Sequence, residues 1–307
     1  MVGGAAPPRV GVPRSILHYE FNGAIARFLR ALGVEVVLSP PTNAEIFRTG
    51  KRLVIDELCF PIKIFVGHVA HLASQGVDRI VIPTIVGHVS DRVFPCHPRS
   101  RLPDIVRALA VCEADRLLTP AFRYDREGLA KGGFLALAQS LGISEVAAER
   151  ALPERRPTRQ TPNVPAAPDG LTIGVVGHPY VVEDRWASNQ LVGRLERLNC
   201  RVVTDTAPTP IDYAPEGTGL HFALAARTVR MTRAFDCDDR INGIAFLLPF
   251  NCGPDGDVAR HLARTTSKPL LTLVLDELQS SAGLVTRLEA FIDLLRPVPA
   301  AAGGRST

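Results

Sequence analysis

Three of the six cysteines in the sequence share one local pattern, in which a proline follows two residues later. They are Cys59, Cys96 and Cys252. Proline fixes φ and removes a backbone donor, so it holds a loop open and lets a thiolate point at a metal. Each segment also lies where an extended stretch gives way to a predicted helix, whose unsatisfied N–H groups stabilise negative sulfur. The pattern predicts three metal-binding cysteines.

The other three cysteines lack this pattern and have structural explanations. Cys112 falls in a predicted helical run over residues 105–118, where a small buried thiol is the ordinary outcome. Cys200 aligns with an apolar position in the first half of the chain, which predicts a core residue. Cys237 lies between acidic residues that repel a thiolate, so we expect no function for it.

Three thiolates can hold zinc with a fourth ligand, or three irons of a [4Fe–4S] cluster with one iron open. Structural zinc sites usually take cysteine pairs from short Cys-x2–4-Cys segments, and the sequence has none. The three cysteines lie far apart in the sequence, so a folded scaffold must bring them together. In parallel α/β sheets that meeting point is the crevice at the carboxyl ends of the strands. This favours a cluster between domains, with His97 as one candidate for a fourth ligand.

Two charged residues near Cys59 are candidates for a catalytic role. Lys63 follows Cys59 by one helical turn, so it either faces the cluster and raises its potential or is a solvated helix lysine. Glu57 is either a proton donor or a carboxylate at the start of a helix.

Two strand–turn–helix–strand segments indicate how the chain positions these residues. The segments 9–38 and 173–203 align without a gap at a constant offset of 166 residues, which places Gly11 on Gly177. Short apolar strands alternate with amphipathic helices along the rest of the chain, a pattern typical of parallel sheets covered on both faces. The sequence therefore predicts an α/β fold with two Rossmann-like domains related by internal duplication.

The predicted domain organisation follows the proline-rich stretch in the middle of the chain. We expect a disordered N-terminus over residues 1–8, a first Rossmann-like domain over 9–149, a linker over 150–170, a second Rossmann-like domain over 171–296 and a disordered tail over 297–307.

Composition excludes several classes of function. The 307 residues carry a net charge of +4, without the basic face that nucleic-acid binding requires. There is neither a secretory signal nor an apolar stretch long enough to span a membrane, so we expect a cytoplasmic protein. No Gly-x-Gly-x-x-Gly follows either first strand and no Gly-x4-Gly-Lys-Ser/Thr is present, so neither a dinucleotide nor ATP hydrolysis through a P-loop is predicted.

Several segments, in combination, resemble the activase-related branch of the 2-hydroxyacyl-CoA dehydratase and benzoyl-CoA reductase superfamily. They are Asp-Glu-Leu-Cys-Phe-Pro-Ile-Lys at 56–63, Pro-Phe-Asn-Cys-Gly-Pro-Asp at 249–255, Ser-Pro-Pro-Thr-Asn at 39–43, and the segment 282–291, with Gly-Val-Pro-Arg at 11–14 and Gly-His-Pro-Tyr at 177–180. One departure is at 276–278, where this chain has Asp-Glu-Leu and the family often has a histidine after Asp-Glu. No role of that histidine is carried over.

The resemblance implies a [4Fe–4S] protein whose three cysteine ligands map onto Cys59, Cys96 and Cys252. It also implies a low-potential electron that passes from the cluster to an acyl-CoA or to a partner dehydratase, supplied by an ATP-dependent activator. Such a chain would be the iron–sulfur component of a dehydratase-type lyase or of a reductase system. The competing hypothesis is a non-enzymatic α/β scaffold with a structural zinc or no metal. With three cysteine ligands, we expect one iron to be completed by water or a small sulfur ligand.

Overall fold

The computed structural model describes residues 8–88, 94–125, 128–153, 170–204, 221–276 and 281–296. The strands are β1 (Arg9–Val12), β2 (Glu35–Leu38), β3 (Arg79–Val81), β4 (Thr84–His88), β5 (Leu117–Leu118), β6 (Ala121–Asp125), β7 (Gly128–Leu129), β8 (Thr172–Gly177), β9 (Arg201–Thr204), β10 (Gly243–Pro249) and β11 (Leu270–Leu275). The helices are α1 (Leu17–Glu20), α2 (Ala24–Ala31), α3 (Ala44–Leu53), α4 (Phe60–Ser74), α5 (His97–Ser100), α6 (Leu102–Ala108), α7 (Lys131–Ser140), α8 (Glu145–Ala151), α9 (Pro179–Val182), α10 (Leu191–Arg197), α11 (Ala223–Asp236), α12 (Gly253–Thr265) and α13 (Ser281–Leu295).

Two four-stranded sheets form the framework, and all their strand pairs are parallel. The first has the order β2-β1-β3-β5 and the second has the order β9-β8-β10-β11. Every residue of β8 is buried, as expected for a central strand with helices on both faces. The predicted α/β class with parallel sheets is therefore confirmed.

The two halves share details beyond their strand order. After α2 and after α10, the chain turns through a left-handed residue, Gly33 with φ of 77° and Asn199 with φ of 60°. In both cases the next N–H bonds back to a helix carbonyl, that of Leu29 or Leu195. These positions, and strands β2 and β9, are related by the offset of 166. The match supports an internal duplication, which stays a prediction.

Strands β4, β6 and β7 form a third, small sheet that the sequence does not predict. Strand β4 pairs parallel to β6, and β7 closes the sheet antiparallel to β6. The chain passes directly from β3 into β4, and the N–H of Ile82 bonds the carbonyl of Leu118 between the two sheets. The first half is thus larger than one Rossmann-like sheet and its helices.

The predicted helical run over residues 105–118 is wrong. Helix α6 ends at Ala108, and the chain reverses through Ala110, whose φ is 47°. A residue in the left-handed region cannot continue an α-helix. Cys112 therefore lies in a half-buried bend instead of a helix.

The two halves pack against each other through one apolar core. The ring of Trp186, from the second half, lies 5.1 Å from the ring of Phe47 and 6.2 Å from that of Phe60. In the described ranges, no helix is long and apolar enough to cross a membrane. Most of the predicted linker and termini, residues 154–169, 1–7 and 297–307, lie outside the described residues.

Candidate metal centre

Each cysteine of the Cys-x-Pro pattern is the N-cap residue of a helix. Cys59 precedes α4, Cys96 precedes α5 and Cys252 precedes α12, all with extended backbone. The proline occupies the second helical position each time, where its missing N–H costs no intrahelical bond. The expectation that these cysteines mark helix starts is confirmed.

The fold brings the three thiols close enough to affect one another. Burial and, to a smaller degree, the nearby sulfur of Cys96 raise the pKa of Cys59 to about 11. Burial also raises the pKa of Cys252 well above its usual range, with contributions from Cys59 and Cys96. The N–H groups at the starts of α4 and α12 act in the opposite direction. Without a cation these sulfurs stay protonated, and a bound metal would favour the thiolates.

The loop before Cys59 is held by contacts that cross between the halves of the chain. The Phe60 N–H donates to the Phe250 carbonyl at 3.1 Å. The carbonyl of Asp56 accepts from the ammonium of Lys63 at 3.0 Å and from the amide of Asn251 at 3.3 Å. These bonds join the loop that carries Cys59 to the loop that carries Cys252, so they set the distance between two of the thiols.

A buried ion pair supports the third cysteine. The guanidinium of Arg99, which is 2% exposed, pairs with the carboxylate of Glu20 on α1. Arg99 is three residues after Cys96, and its charge favours the Cys96 thiolate while burial raises the pKa of that thiol. The chain before Cys96 is tied to the second half, because Phe94 pairs with Phe222 in a parallel bridge. Cys96 is thus fixed by both halves of the molecule.

A carboxylate and an imidazole complete the set of donor groups. Ligand atoms of His178, Cys252 and Asp255 all lie within 4.8 Å of one another. His178 Nε2 lies 3.1 Å from Asp255 Oδ1, and His178 Nδ1 lies 2.6 Å from the hydroxyl oxygen of Tyr180. Asp255 is fully buried, and neither of its oxygens has a hydrogen-bond partner of acceptable geometry among the described residues. A buried, uncompensated carboxylate is costly, so this arrangement fits a bound cation.

Three of the donor residues, Cys96, Cys252 and His178, line a small pocket between the two halves. Its walls include Cys96, Arg99, His178, Tyr180 and Cys252, together with apolar side chains of α11. Three sulfurs with a carboxylate and an imidazole suit zinc or iron, and they also suit an iron–sulfur cluster. The residues present therefore fit a metal centre of the kind that the sequence predicts.

The other candidates lie in different settings. Glu57 is exposed on the loop before Cys59, and His97 is exposed at the first position of α5. Lys63 is buried, with its ammonium on the Asp56 carbonyl and 4.0 Å from the exposed Asp56 carboxylate, so it is not the solvated lysine that was one alternative.

Two of the remaining cysteines, Cys200 and Cys237, differ in their exposure to solvent. Cys200 is buried as expected, and Cys237 is exposed at the end of α11. The segment at 277–280, which includes most of the departure from the family pattern, lies outside the described residues.

Sequence reasoning missed Asp255 and His178 as site residues. Both lie in segments that carry the family resemblance, yet neither was singled out. Two signals were present. His178 precedes a proline at the end of a buried strand. Asp255 follows Cys252 by three residues, so the side chains of Cys252 and Asp255 both lie at the first turn of α12.

Comparison with protein families matches residues 9–207 to the CoA enzyme activase uncharacterised domain (DUF2229). The match covers about two thirds of the chain, including Cys59, Cys96 and His178, and it ends before Cys252. A search of curated proteins gave no match. Because the matched region exceeds half of the sequence, the chain belongs to the CoA enzyme activase domain family, in agreement with the resemblance seen in its motifs.

Proposed function

We propose that this chain is an iron–sulfur component of an acyl-CoA dehydratase or reductase system. In this proposal Cys59, Cys96 and Cys252 hold a [4Fe–4S] cluster, and the protein passes a low-potential electron to an acyl-CoA or to a partner dehydratase. Membership of the CoA enzyme activase family supports a role with CoA enzymes of this kind. The observation that carries the metal assignment is the meeting of three cysteines at helix N-cap positions beside a buried carboxylate that has no hydrogen-bond partner among the described residues.

The protein would supply positioning, shielding and charge around the cluster. A bound [4Fe–4S] cluster supplies one-electron chemistry at a potential set by net charge, hydrogen bonding and exposure. The loops around Asp56 and Phe94 fix the ligands, and apolar residues of α11 limit the access of water. Arg99 places a positive charge next to Cys96, which favours the reduced, more negative state.

The source of the electron would be a separate, ATP-dependent activator. These 307 residues contain no Gly-x4-Gly-Lys-Ser/Thr segment, so they show no P-loop of their own. The cysteines, which the structure shows as free thiols, also suit the reducing cytoplasm that the sequence predicts. Glu57 and Lys63 stay candidates for a catalytic role.

A second candidate is a scaffold with a single zinc ion. The ligand atoms of His178, Cys252 and Asp255 lie within 4.8 Å of one another, which favours one small ion at that corner of the site. In that case the protein would have a structural metal and no electron-transfer function.

Anaerobic purification of the full chain followed by metal analysis separates the two candidates. We expect brown protein with about four irons per chain and an absorption band near ~400 nm, as for a [4Fe–4S] cluster. Colourless protein with one zinc per chain would favour the scaffold. If the cluster is present, EPR of the dithionite-reduced protein with and without an acyl-CoA tests whether the substrate reaches it.

A further inference from the structure

Asp255 is a buried carboxylate whose cationic neighbour among the described contacts is the His178 imidazole, which is charged only when it is protonated. It is 0% exposed, and both oxygens lack a hydrogen-bond partner among the described residues. The buried guanidinium in this pocket, that of Arg99, already pairs with Glu20. Ionised carboxylates are retained in protein interiors when they are paired or when they coordinate a metal. The surroundings of Asp255 thus call for a cation.

A carboxylate oxygen of Asp255 lies within 4.8 Å of the Cys252 sulfur. Its negative charge contributes to the raised pKa of Cys252, and also to that of Cys59 and Cys96, so its field reaches the other two thiols. A cation bound by the thiolates would therefore also be within the electrostatic reach of Asp255. An anionic group that repels three thiolates in the free site would be drawn to the metal that they hold.

Local structure gives Asp255 a fixed position relative to Cys252. Cys252 caps α12 and Asp255 is the third residue of that helix, so both side chains come from its first turn. On the other side, His178 Nε2 lies 3.1 Å from Oδ1, while Nδ1 of the same ring lies 2.6 Å from the Tyr180 hydroxyl. A ligating carboxylate is typically oriented by such an outer partner. The His178 ring thus lies next to Oδ1, which leaves the other oxygen, Oδ2, for the metal.

We propose that Asp255 is the fourth protein ligand of the cluster, through Oδ2, and that His178 is a positioning residue for it. This inference rests on the proposed function. It replaces the expectation that the fourth iron is completed by water or a small sulfur ligand. An added thiol must then displace a carboxylate before it binds iron. While Asp255 is bound, the cluster would therefore relay electrons and would not bind a substrate directly.

The test uses the full chain, purified anaerobically, with three substitutions at Asp255, two at His178 and one matched control. Asp255→Ala removes the ligand, Asp255→Asn keeps its shape without its charge, and Asp255→Cys offers a thiolate in its place. The control is Asp257→Asn, two residues further along α12, where the carboxylate is exposed and pairs only with Arg260 in the described contacts. Iron content, circular dichroism and EPR titration with 2-mercaptoethanol are measured for each.

We expect 2-mercaptoethanol to bind the reduced cluster of Asp255→Ala and Asp255→Asn about tenfold more tightly than wild type, because a competing ligand lowers the fraction of iron open to the thiol. Asp257→Asn should match wild type. Asp255→Cys should retain four irons after ferricyanide oxidation, while wild type loses one. His178→Ala should shift thiol affinity toward that of Asp255→Ala, and His178→Gln, whose amide can donate to Oδ1, should restore it.

Equal thiol affinities in wild type and Asp255→Ala would overturn the inference while leaving the proposed cluster in place. If Asp255→Ala and Asp255→Asn fold but load little iron, Asp255→Cys decides: recovery of iron supports ligation, and equally poor loading contradicts it. A wild-type chain without iron would overturn the proposed function and this inference together.

Discussion

Two buried polar clusters lie at the junction of the two halves. They differ in how many of their hydrogen-bonding groups find a partner within the protein. The first, called here the interdomain cluster, consists of Ser39, Thr42, His68 and Asp184. His68 Nδ1 lies 2.9 Å from the Ser39 hydroxyl, and Nε2 lies 2.9 Å from that of Thr42. Thr42 donates to Asp184, which also accepts backbone N–H groups at 3.0 and 3.1 Å. Each member has its partners within the protein.

The second cluster is the candidate metal centre, and its polar groups are not paired with one another. Within the described parts of the chain, Asp255 and His178 Nε2 have no hydrogen bond of acceptable geometry, and the nearby thiols raise one another's pKa. A buried network that satisfies itself adds rigidity and specificity, whereas a partly satisfied one is costly. The difference indicates that the interdomain cluster is structural and that the metal centre is built for a ligand. Four predictions test this contrast.

The largest expected effect is loss of iron from the Cys-x-Pro variants. Alanine at Cys59, Cys96 or Cys252 should lower the iron content from about four per chain to less than one, because each supplies a cluster ligand in the proposed function. Iron is measured on anaerobically purified protein. Alanine at Cys112, Cys200 or Cys237 provides the matched controls and should leave the iron unchanged. Full retention in one of the first three variants would remove that cysteine from the site.

Helix α4 belongs to both clusters, since Cys59 caps it and it carries His68. Gly67 lets α3 pack closely on it: a Cβ there would lie 2.0 Å from the Ile46 carbonyl oxygen. Gly67→Ala should therefore lower the free energy of unfolding by about 3 kcal/mol and reduce iron loading as well, which urea unfolding and iron analysis would measure. The control is Gly256→Ala on α12, where a Cβ meets no described atom within 4 Å and a gain of about 0.5 to 1 kcal/mol is expected. Equal stabilities of the two variants would contradict the packing argument.

Asp184→Ala tests whether the interdomain cluster is only structural. It leaves the Thr42 hydroxyl and two N–H groups without an acceptor, so the free energy of unfolding should fall by about 2 kcal/mol. Iron per folded chain should stay at the wild-type value. Asp104→Ala, on an exposed surface, should change stability by less than about 0.5 kcal/mol. A folded Asp184→Ala protein without iron would show that the two clusters are not separate in function.

Much of the framework could be predicted from local sequence. Strands β10 and β11 are continuous apolar runs that can be recognised in the sequence, since a buried parallel strand needs little beyond such a run. The third sheet was missed because β6 contains Arg123 and Asp125, and its pairing with β4 is set by long-range contacts. The end of α6 was misplaced because alanine gives no signal for the left-handed backbone at Ala110.

Only some residues of the candidate site could be predicted from the sequence. A cysteine with a proline two residues later predicts a helix start, and all three were found in that way. Asp255, by contrast, has the pattern of any acidic residue in the first turn of a helix. Its burial, and the absence of a well-formed hydrogen bond to it in the described part of the chain, depend on residues distant in sequence such as His178, which no local pattern reveals.

The smallest expected effect is a pH dependence of the free energy of unfolding that comes from His68 in the interdomain cluster. Burial lowers the pKa of His68 to about 3, from 6.5 in an unfolded chain. The folded state keeps this ring neutral while the unfolded state gains a proton below pH 6.5, so stability falls as the pH is lowered. Between pH 7 and 5.5 the contribution of His68 to this loss is about 1 kcal/mol. His18, whose pKa burial lowers to about 4, adds a similar loss of its own.

The measurement is urea unfolding at pH 7 and 5.5 for wild type and His68→Gln, because groups common to both cancel in the difference. The variant should be less stable at pH 7, since Ser39 and Thr42 lose a well-placed partner. It should nevertheless lose about 1 kcal/mol less than wild type on going to pH 5.5. Parallel pH profiles would mean that His68 is protonated equally in both states, and that the interdomain cluster is open to water rather than sealed and self-satisfied.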